Sequence, residues 1–167
     1  MMSTPKSAKK YLTIVKKERE YLSQWVAWSL NAESEDFFLT FIKKSLLEYA
    51  EGKGMVCAII YNGELVGNIG FNAIEHNLKR ATIGYWLSEG FQGNGIMTSA
   101  VAKLIDIAFS ELKLEKIQIS AAVDNLPSRA VCERVGMKLE GIITNSENIN
   151  GRIVDHAVYG LTKSNVS

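Results

Sequence analysis

Proline and cysteine are both scarce in this chain. Two prolines, Pro5 and Pro127, among 167 residues leave no material for a proline-rich linker or a polyproline segment. Two cysteines, Cys57 and Cys132, match no metal-ligand spacing and make no disulfide framework. A reducing compartment suits such a chain, so a cytoplasmic location is expected and no metal site is. Cys57 lies in an apolar run and reads as a small core residue. Cys132 falls on an expected helix with no histidine in a recognisable partner position, which argues against a nucleophile. No apolar run approaches the length of about 20 residues that crosses a bilayer. The lysines near the start precede no apolar stretch of signal-peptide type. An excess of charge is also missing. Lys plus Arg number 19 against 18 Asp plus Glu, so the basic surplus that nucleic acid or an anionic membrane demands is absent. Only Lys6, Lys9, Lys10, Lys16 and Lys17 are locally clustered, and they read as a solvated tail and helix face. No internal repeat or low-complexity stretch divides the chain.

What is present fits one soluble domain. Hydrophobic residues are 47% and charged residues 22%, ordinary proportions for a globular protein. Residues 9–30 read as a helix with Leu12, Val15, Leu22, Trp25 and Val26 on one side. A second helix is expected over 35–51, with Ser34 as N-cap and Gly52 as its stop. Its apolar face would be Phe38, Phe41, Ile42, Leu46 and Tyr49. The period then changes. "MVCAIIY" (55–61) and "ELVGNIGF" (64–71) are strands joined by Asn62-Gly63, a two-residue hairpin turn. "ATIGYWLS" (81–88) is a third strand. A helix of unbroken apolar period runs from Met97 to Leu112, and "KIQISAAV" (116–123) is the next strand. A short helix opens near Pro127 and ends at Gly136. Two final strands, 138–145 and 152–161, flank Asn150-Gly151. The order predicts an α/β domain with a mixed sheet and helices on its faces, spanning 11–165. Residues 1–10 are expected to be a disordered leader to it.

The stretch "GFQGNGIMTSA" (90–100) places glycines directly before the most regular helix. A helix start leaves four backbone N–H groups unpartnered and carries about half a positive charge. Phosphate suits that end when side chains do not obstruct it. Gly93 and Gly95 would remove the obstruction and permit positive φ. A plain tight turn remains the alternative. The dinucleotide fingerprint G-x-G-x-x-G fails, because Thr98 stands where its third glycine belongs, and no Gly-Lys-Ser/Thr follows for a nucleotide-triphosphate loop.

"ATIGYWLSEGFQGNGIMTSAV", "DNLPSRAVCERVGMKLEG" and "NGRIVDHAVYGL" together resemble the GNAT superfamily of acetyl-CoA-dependent N-acetyltransferases. Within it they are similar to the RimJ/RimL branch, which acetylates the N-termini of ribosomal proteins. The resemblance spans about residues 20–161. Gln92 and Gly95 fit the loop pattern [Q/R]-x-x-G-x-[G/A], whereas Met97 departs from its last small residue. The resemblance implies a GNAT-type acyltransferase fold and acetyl-CoA as the acyl donor. The pyrophosphate of coenzyme A would lie on the loop residues Gln92, Gly93, Asn94, Gly95, Ile96, Met97 and Thr98. The strand Tyr85-Trp86-Leu87 would pair with the pantetheine arm, next to a splay and a bulge that free a backbone donor for the thioester carbonyl. Asn125 would bond the pantetheine amide. Ser128 would assist the sulfur. On spacing alone Asn125 is equally a helix cap, with Ser128 in the first turn.

The branch often carries Glu just before "IGYW"; here that position is Thr82. Glu75 and His76 are therefore the candidate bases, while His156 beside Asp155 reads as a structural imidazole. Trp25, Trp28 and Tyr85 are candidates for the acceptor groove. The implied reaction is acetyl transfer to a primary amine, foremost a protein α-amine. Polyamine or antibiotic acetylation is the alternative within the enzyme class, and a coenzyme A-binding module without turnover lies outside it. The branch's opening strand is missing, because residues 11–15 read as helix. The edge of strand 55–61 would then lie open, and a second copy covering it, a homodimer, is expected.

Overall fold

A computed structural model describes residues 1–166. Five helices, α1 (Ser7–Lys17), α2 (Arg19–Leu22), α3 (Glu35–Ala50), α4 (Ile96–Ser110) and α5 (Leu126–Arg134), surround six strands. The strands are β1 (Met55–Tyr61), β2 (Glu64–Glu75), β3 (Arg80–Leu87), β4 (Lys116–Ala122), β5 (Lys138–Ile149) and β6 (Arg152–Thr162). They form one sheet in the order β1-β2-β3-β4-β6-β5, in which only β3 and β4 are parallel. The mixed α/β architecture is the expected one. Both hairpin turns adopt left-handed backbone, at Asn62 and Gly63 (φ 50° and 81°) and at Asn150 and Gly151 (φ 53° and 92°). That conformation matches the twist of the strands they join.

The helix expected over 9–30 is broken. It stops at Lys17, resumes for one turn in α2 and gives way to a 3-10 turn at Ala27–Leu30. Arg19 supplies the reason. Its guanidinium donates to the carbonyls of Ser29 (2.8 Å), Leu30 (3.2 Å) and Ala32 (3.0 Å), which requires the chain to fold back on α2. Ser34 does cap α3, accepting from the Phe37 N–H at 3.3 Å. Phe38 and Ile42 are buried on α3, while Phe41 and Tyr49 are exposed, so its apolar face is narrower than its period suggests.

Residues 1–10 are not a disordered leader. Met2 pairs antiparallel with Cys57, the Ser3 N–H donates to Val56 O (3.1 Å), and the Ala58 N–H donates to Met1 O (2.8 Å). Residues 7–10 already belong to α1. Two forces fix the segment: β1's edge groups need partners, and the buried Ser3 hydroxyl lies 2.7 Å from the Tyr11 hydroxyl. The missing strand is thus reduced to a stub. The β1 edge at residues 56–58 is met by the chain itself, which removes the reason for expecting a second copy there.

Two apolar layers flank the sheet. On one side α4 and α5 cover Ile83, Ile117, Ile119 and Tyr159. On the other, α1 and α3 cover Ala58 and Leu65 with Tyr11, Val15, Phe38 and Ile42. β3 divides its side chains between the layers by strand alternation. Tyr85 packs against the α4–α5 layer and Trp86 against the α1–α3 layer. Tyr11 bridges the second layer to the sheet, its hydroxyl accepting from the buried Asn68 amide at 3.0 Å. Tyr11→Phe leaves Ser3 and Asn68 without that partner, a cost of about 1–3 kcal/mol. A urea titration should show a lower midpoint at unchanged slope; an unchanged midpoint would mean the N-terminal stub contributes no stability.

Candidate active site

β3 and β4 pair only from Arg80–Thr82 against Lys116–Gln118 and then diverge. β3 remains paired with β2 through Leu87, and the Ser88 N–H donates to Val66 O at 2.8 Å. In an antiparallel ladder alternate residues face the partner strand. Gly84 and Trp86 therefore turn their backbone groups toward β2, and Tyr85 and Leu87 turn theirs toward the gap. An extended ligand can add there as a further strand. The expected bulge lies one strand away. In β2 the extra residue is Asn72, between Phe71 opposite Ile83 and Ala73 opposite Thr82. The Asn72 side-chain amide lies over Gly84, where a Cβ would make it swing aside.

Beyond Leu87 the chain passes through a 3-10 turn at Glu89–Phe91 into the glycine loop. Gly93 and Gly95 have φ of 79° and 70°, and a Cβ at either would meet nothing within 4 Å. Backbone conformation, not crowding, demands these glycines. No side chain caps α4, so its orphan N–H groups remain free for an anion. The side chains of the loop serve other ends. Gln92 donates to Leu87 O (3.2 Å), and Asn94 donates to Phe91 O and Gln92 O (both 3.3 Å). Both side chains hold the loop's own shape. Ile96 packs against the core and Met97 is buried in it, so Met97 forms an apolar underside where the branch pattern has a small residue. The Thr98 hydroxyl accepts from Arg134 Nε at 3.1 Å. That guanidinium adds positive charge beside the helix start. The Glu18 carboxylate accepts from the Ser88 hydroxyl (2.5 Å) and the Glu89 N–H (3.0 Å), tying the α1–α2 junction to the entry of the loop.

A cavity of about 600 Å³ lies between the divergent strands and the α1–α3 layer. One flank carries Tyr85, Asn125 and Ser128. Asn125 Oδ1 accepts from the Ser128 N–H at 3.3 Å and so caps α5 while lining the cavity. The Tyr85 and Ser128 hydroxyls are 2.9 Å apart. The opposite wall is aromatic. Trp28 lies 6.1 Å from Phe37, 5.9 Å from Phe38 and 6.1 Å from Trp86. The Trp86 side chain thus belongs to this wall, while Tyr85 faces away from it toward α5. Trp25 packs with Ala122, Ile149 and Val154 beneath the Arg152 guanidinium, 5.2 Å from its ring. Arg152 and Asn150, at the β5–β6 turn, also donate to Gln24 O and Ser23 O. These bonds close the far end of the wall.

Glu75 and His76 do not reach this cavity, which corrects their assignment as bases. Arg80 grips the Glu75 carboxylate at 2.6 and 2.9 Å, and His76 Nε2 lies 2.7 Å from Gly52 O. Glu75 ends β2 opposite Arg80 and His76 opens the turn that leads into β3, beside the stretch of β3 still paired with β4. The groups in place are Glu147 and His156, which line the cavity 3.2 Å apart. A bulge at residues 144–146 shifts the register between Ile143 opposite His156 and Glu147 opposite Val154. The Asn145 N–H donates to Asp155 at 2.9 Å and holds that bulge. Asp155, adjacent to His156 in sequence, is thereby engaged elsewhere. Cys132 is wholly buried, and burial pushes its thiol up to about 11. It stays protonated and is no nucleophile.

The model of the acetyltransferase (GNAT) domain matches residues 3–138. The chain belongs to the GNAT family. The ribosomal-protein-serine acetyltransferase of Escherichia coli (strain K12) is 32% identical over 146 residues, covering 87% of this chain and 82% of that protein. YdaF of Bacillus subtilis (strain 168), named provisionally as a ribosomal N-acetyltransferase, is 36% identical over 160 residues, covering 95% and 87%. The structure of RimL, a ribosomal L7/L12 α-N-protein acetyltransferase, in complex with coenzyme A superposes with a TM-score of 0.92 at 29% identity, covering 96% of this chain and 91% of that one. This GNAT protein is an acetyl-CoA-dependent N-acetyltransferase. Its strand gap and open glycine cradle fit the donor's extended arm and pyrophosphate. Gly95→Val forces a β-branched residue into left-handed backbone at the cradle. Calorimetry should show coenzyme A binding weakened at least tenfold with circular dichroism unchanged; equal affinity would remove the loop from the donor site.

Proposed function

We propose that the acceptor is a protein α-amine and that ribosomal proteins are its substrate class. The supporting observation is the acceptor half of the cavity, where one carboxylate–imidazole pair, Glu147 and His156, sits opposite an aromatic wall. The relatives named for ribosomal acetylation point the same way. A protein α-amine has a pKa of about 7.7–8.0, so roughly a tenth is neutral at pH 7; a lysine amine at about 10.4 is neutral in fewer than one molecule in a thousand. A single modest base therefore suffices for an α-amine. A polyamine carries several separated cations, which call for several carboxylates, and Glu147 is the only one lining the cavity among the described residues. A ribosomal acceptor also favours the cytoplasmic location.

Acetyl-CoA supplies an acetyl thioester whose thiolate, from a thiol of pKa about 8.5, is a stable leaving group. Glu147, held by His156, takes the proton that the amine loses as its nitrogen bonds the acetyl carbon. The C–S bond breaks with its electron pair on sulfur, and the Ser128 hydroxyl donates a hydrogen bond to that sulfur. Sulfur then takes its own proton from solvent on release. These groups converge on one cavity, which favours turnover over a module that only binds coenzyme A.

The test is acetyl transfer to peptides beginning with Ala, Ser and Met, beside spermidine. Peptide kcat/KM should exceed that of spermidine at least tenfold; the reverse order would overturn the α-amine assignment. Glu147→Gln should lower kcat/KM on the order of 10²-fold at pH 7. That deficit should shrink toward pH 9, as the amine becomes neutral without help. A deficit that stays constant with pH would remove Glu147 as the base.

A further inference from the structure

We propose that Tyr85 is a positioning residue for the departure of sulfur: its hydroxyl donates to Ser128 Oγ and so leaves the Ser128 proton free to point at the thiolate. This rests on Ser128 as the donor to sulfur. Ser128 has a single proton. If that proton is held by Tyr85, none is left for the leaving group. Two acceptors on Ser128 surround the Tyr85 hydroxyl, Oγ at 2.9 Å and the backbone carbonyl at 3.2 Å. The pair therefore has two settings. In one, Tyr85 donates to the carbonyl and accepts from Ser128. In the other, Tyr85 donates to Oγ and the Ser128 proton turns into the cavity. Only hydroxyl rotations separate the two, and a developing negative charge on sulfur favours the second.

Three features hold the pair in register. Strand alternation aims Tyr85 at α5, and beyond Thr82 no β4 partner stands between them. Asn125 fixes the Ser128 backbone in the first turn of α5. Cys132, one turn after Ser128, is fully buried, and its thiol adjoins the Tyr85 hydroxyl from behind. Burial raises the Tyr85 phenol above its ordinary value. Tyr85 therefore stays a hydrogen-bond donor and does not itself protonate sulfur. The bland alternative is a strut that joins β3 to α5 across the divergence.

A double-mutant cycle on the full chain separates these roles. Ser128→Ala, Tyr85→Phe and the double variant are compared for kcat at saturating acetyl-CoA, for coenzyme A affinity by calorimetry and for melting temperature. Ser128→Ala is expected to lower kcat on the order of tenfold and Tyr85→Phe about fivefold. The double variant should be no slower than Ser128→Ala, and coenzyme A affinity should stay within about twofold. Tyr85→His, which keeps a ring donor, should recover part of the loss. Full activity in Tyr85→Phe with impaired Ser128→Ala overturns the role of Tyr85 alone. Full activity in Ser128→Ala removes the donor to sulfur, and this inference with it. Multiplying losses accompanied by weaker coenzyme A binding leave Tyr85 a strut.

Discussion

β3 and β4 run side by side for three residue pairs, Arg80–Thr82 against Lys116–Gln118, and then part. A sheet that opens in its middle leaves backbone donors and acceptors without partners in a partly buried place, which is costly unless something else satisfies them. The rest of the site follows from that opening. It directs the backbone of Tyr85 and Leu87 at an incoming ligand and lets the Tyr85 side chain reach Ser128. It also connects the α4–α5 side of the sheet, where the donor's arm enters, with the aromatic α1–α3 side. A continuous ladder would separate those halves and leave nowhere for an amine to meet a thioester.

The opening is held from both ends. At the loop end, Glu18 clamps Ser88 and Glu89, so the backbone leaving β3 enters the glycine loop from a fixed direction. Glu18 also separates α1 from α2, and α2 carries Tyr21 and Leu22 into the cavity wall. One carboxylate therefore contacts the element that shapes the anion cradle and adjoins the one that shapes the acceptor wall. At the other end, the β5–β6 turn is bonded to Ser23 and Gln24. This ties the strands bearing Glu147 and His156 to the same N-terminal helices. The relative positions of the glycine loop, the aromatic wall and the Glu147–His156 pair are thus set by long-range tertiary bonds, the preorganisation that catalysis requires.

Elements with a strong local period were legible in the sequence. α3, β1, the hairpin at Asn62-Gly63 and α4 appear within a few residues of their expected bounds, because each pattern repeats along its length. The glycine loop was legible because two left-handed positions before a helix need glycine locally. Partners fixed across the fold were not. Glu18 and Ser88 are separated by 70 positions, and nothing in "KKERE" announces a distant backbone cap. Arg19 unwinds the expected long helix through carbonyls in residues 29–32, where the apolar period alone favoured continuity. The stub at Met1–Ser3 is too short for any period to reveal, yet it settles on β1 through hydrogen bonds and the buried Ser3–Tyr11 contact.

The misplaced base shows the same limit in chemical terms. Glu75 and His76 are adjacent to the strand that carries the donor site, and proximity in sequence made them candidates. Adjacency in sequence is the wrong measure, because the β2–β3 turn where they sit is separated from the gap by the stretch of β3 still paired with β4. Arg80 then neutralises Glu75 locally. Glu147 lies far along the chain, in "NSENIN", where a run of Asn and Ser resembles a plain loop. Its place opposite Val154 and beside His156 depends on the bulge at residues 144–146, which adds two residues to β5 and so keeps the face of Glu147 while moving it two positions along β6. Without those extra residues the pairing of Ile143 with His156 would continue in step and set Asn145, not Glu147, opposite Val154. The proposed base is thus placed by a backbone irregularity, which a search for charged residues near a motif does not detect.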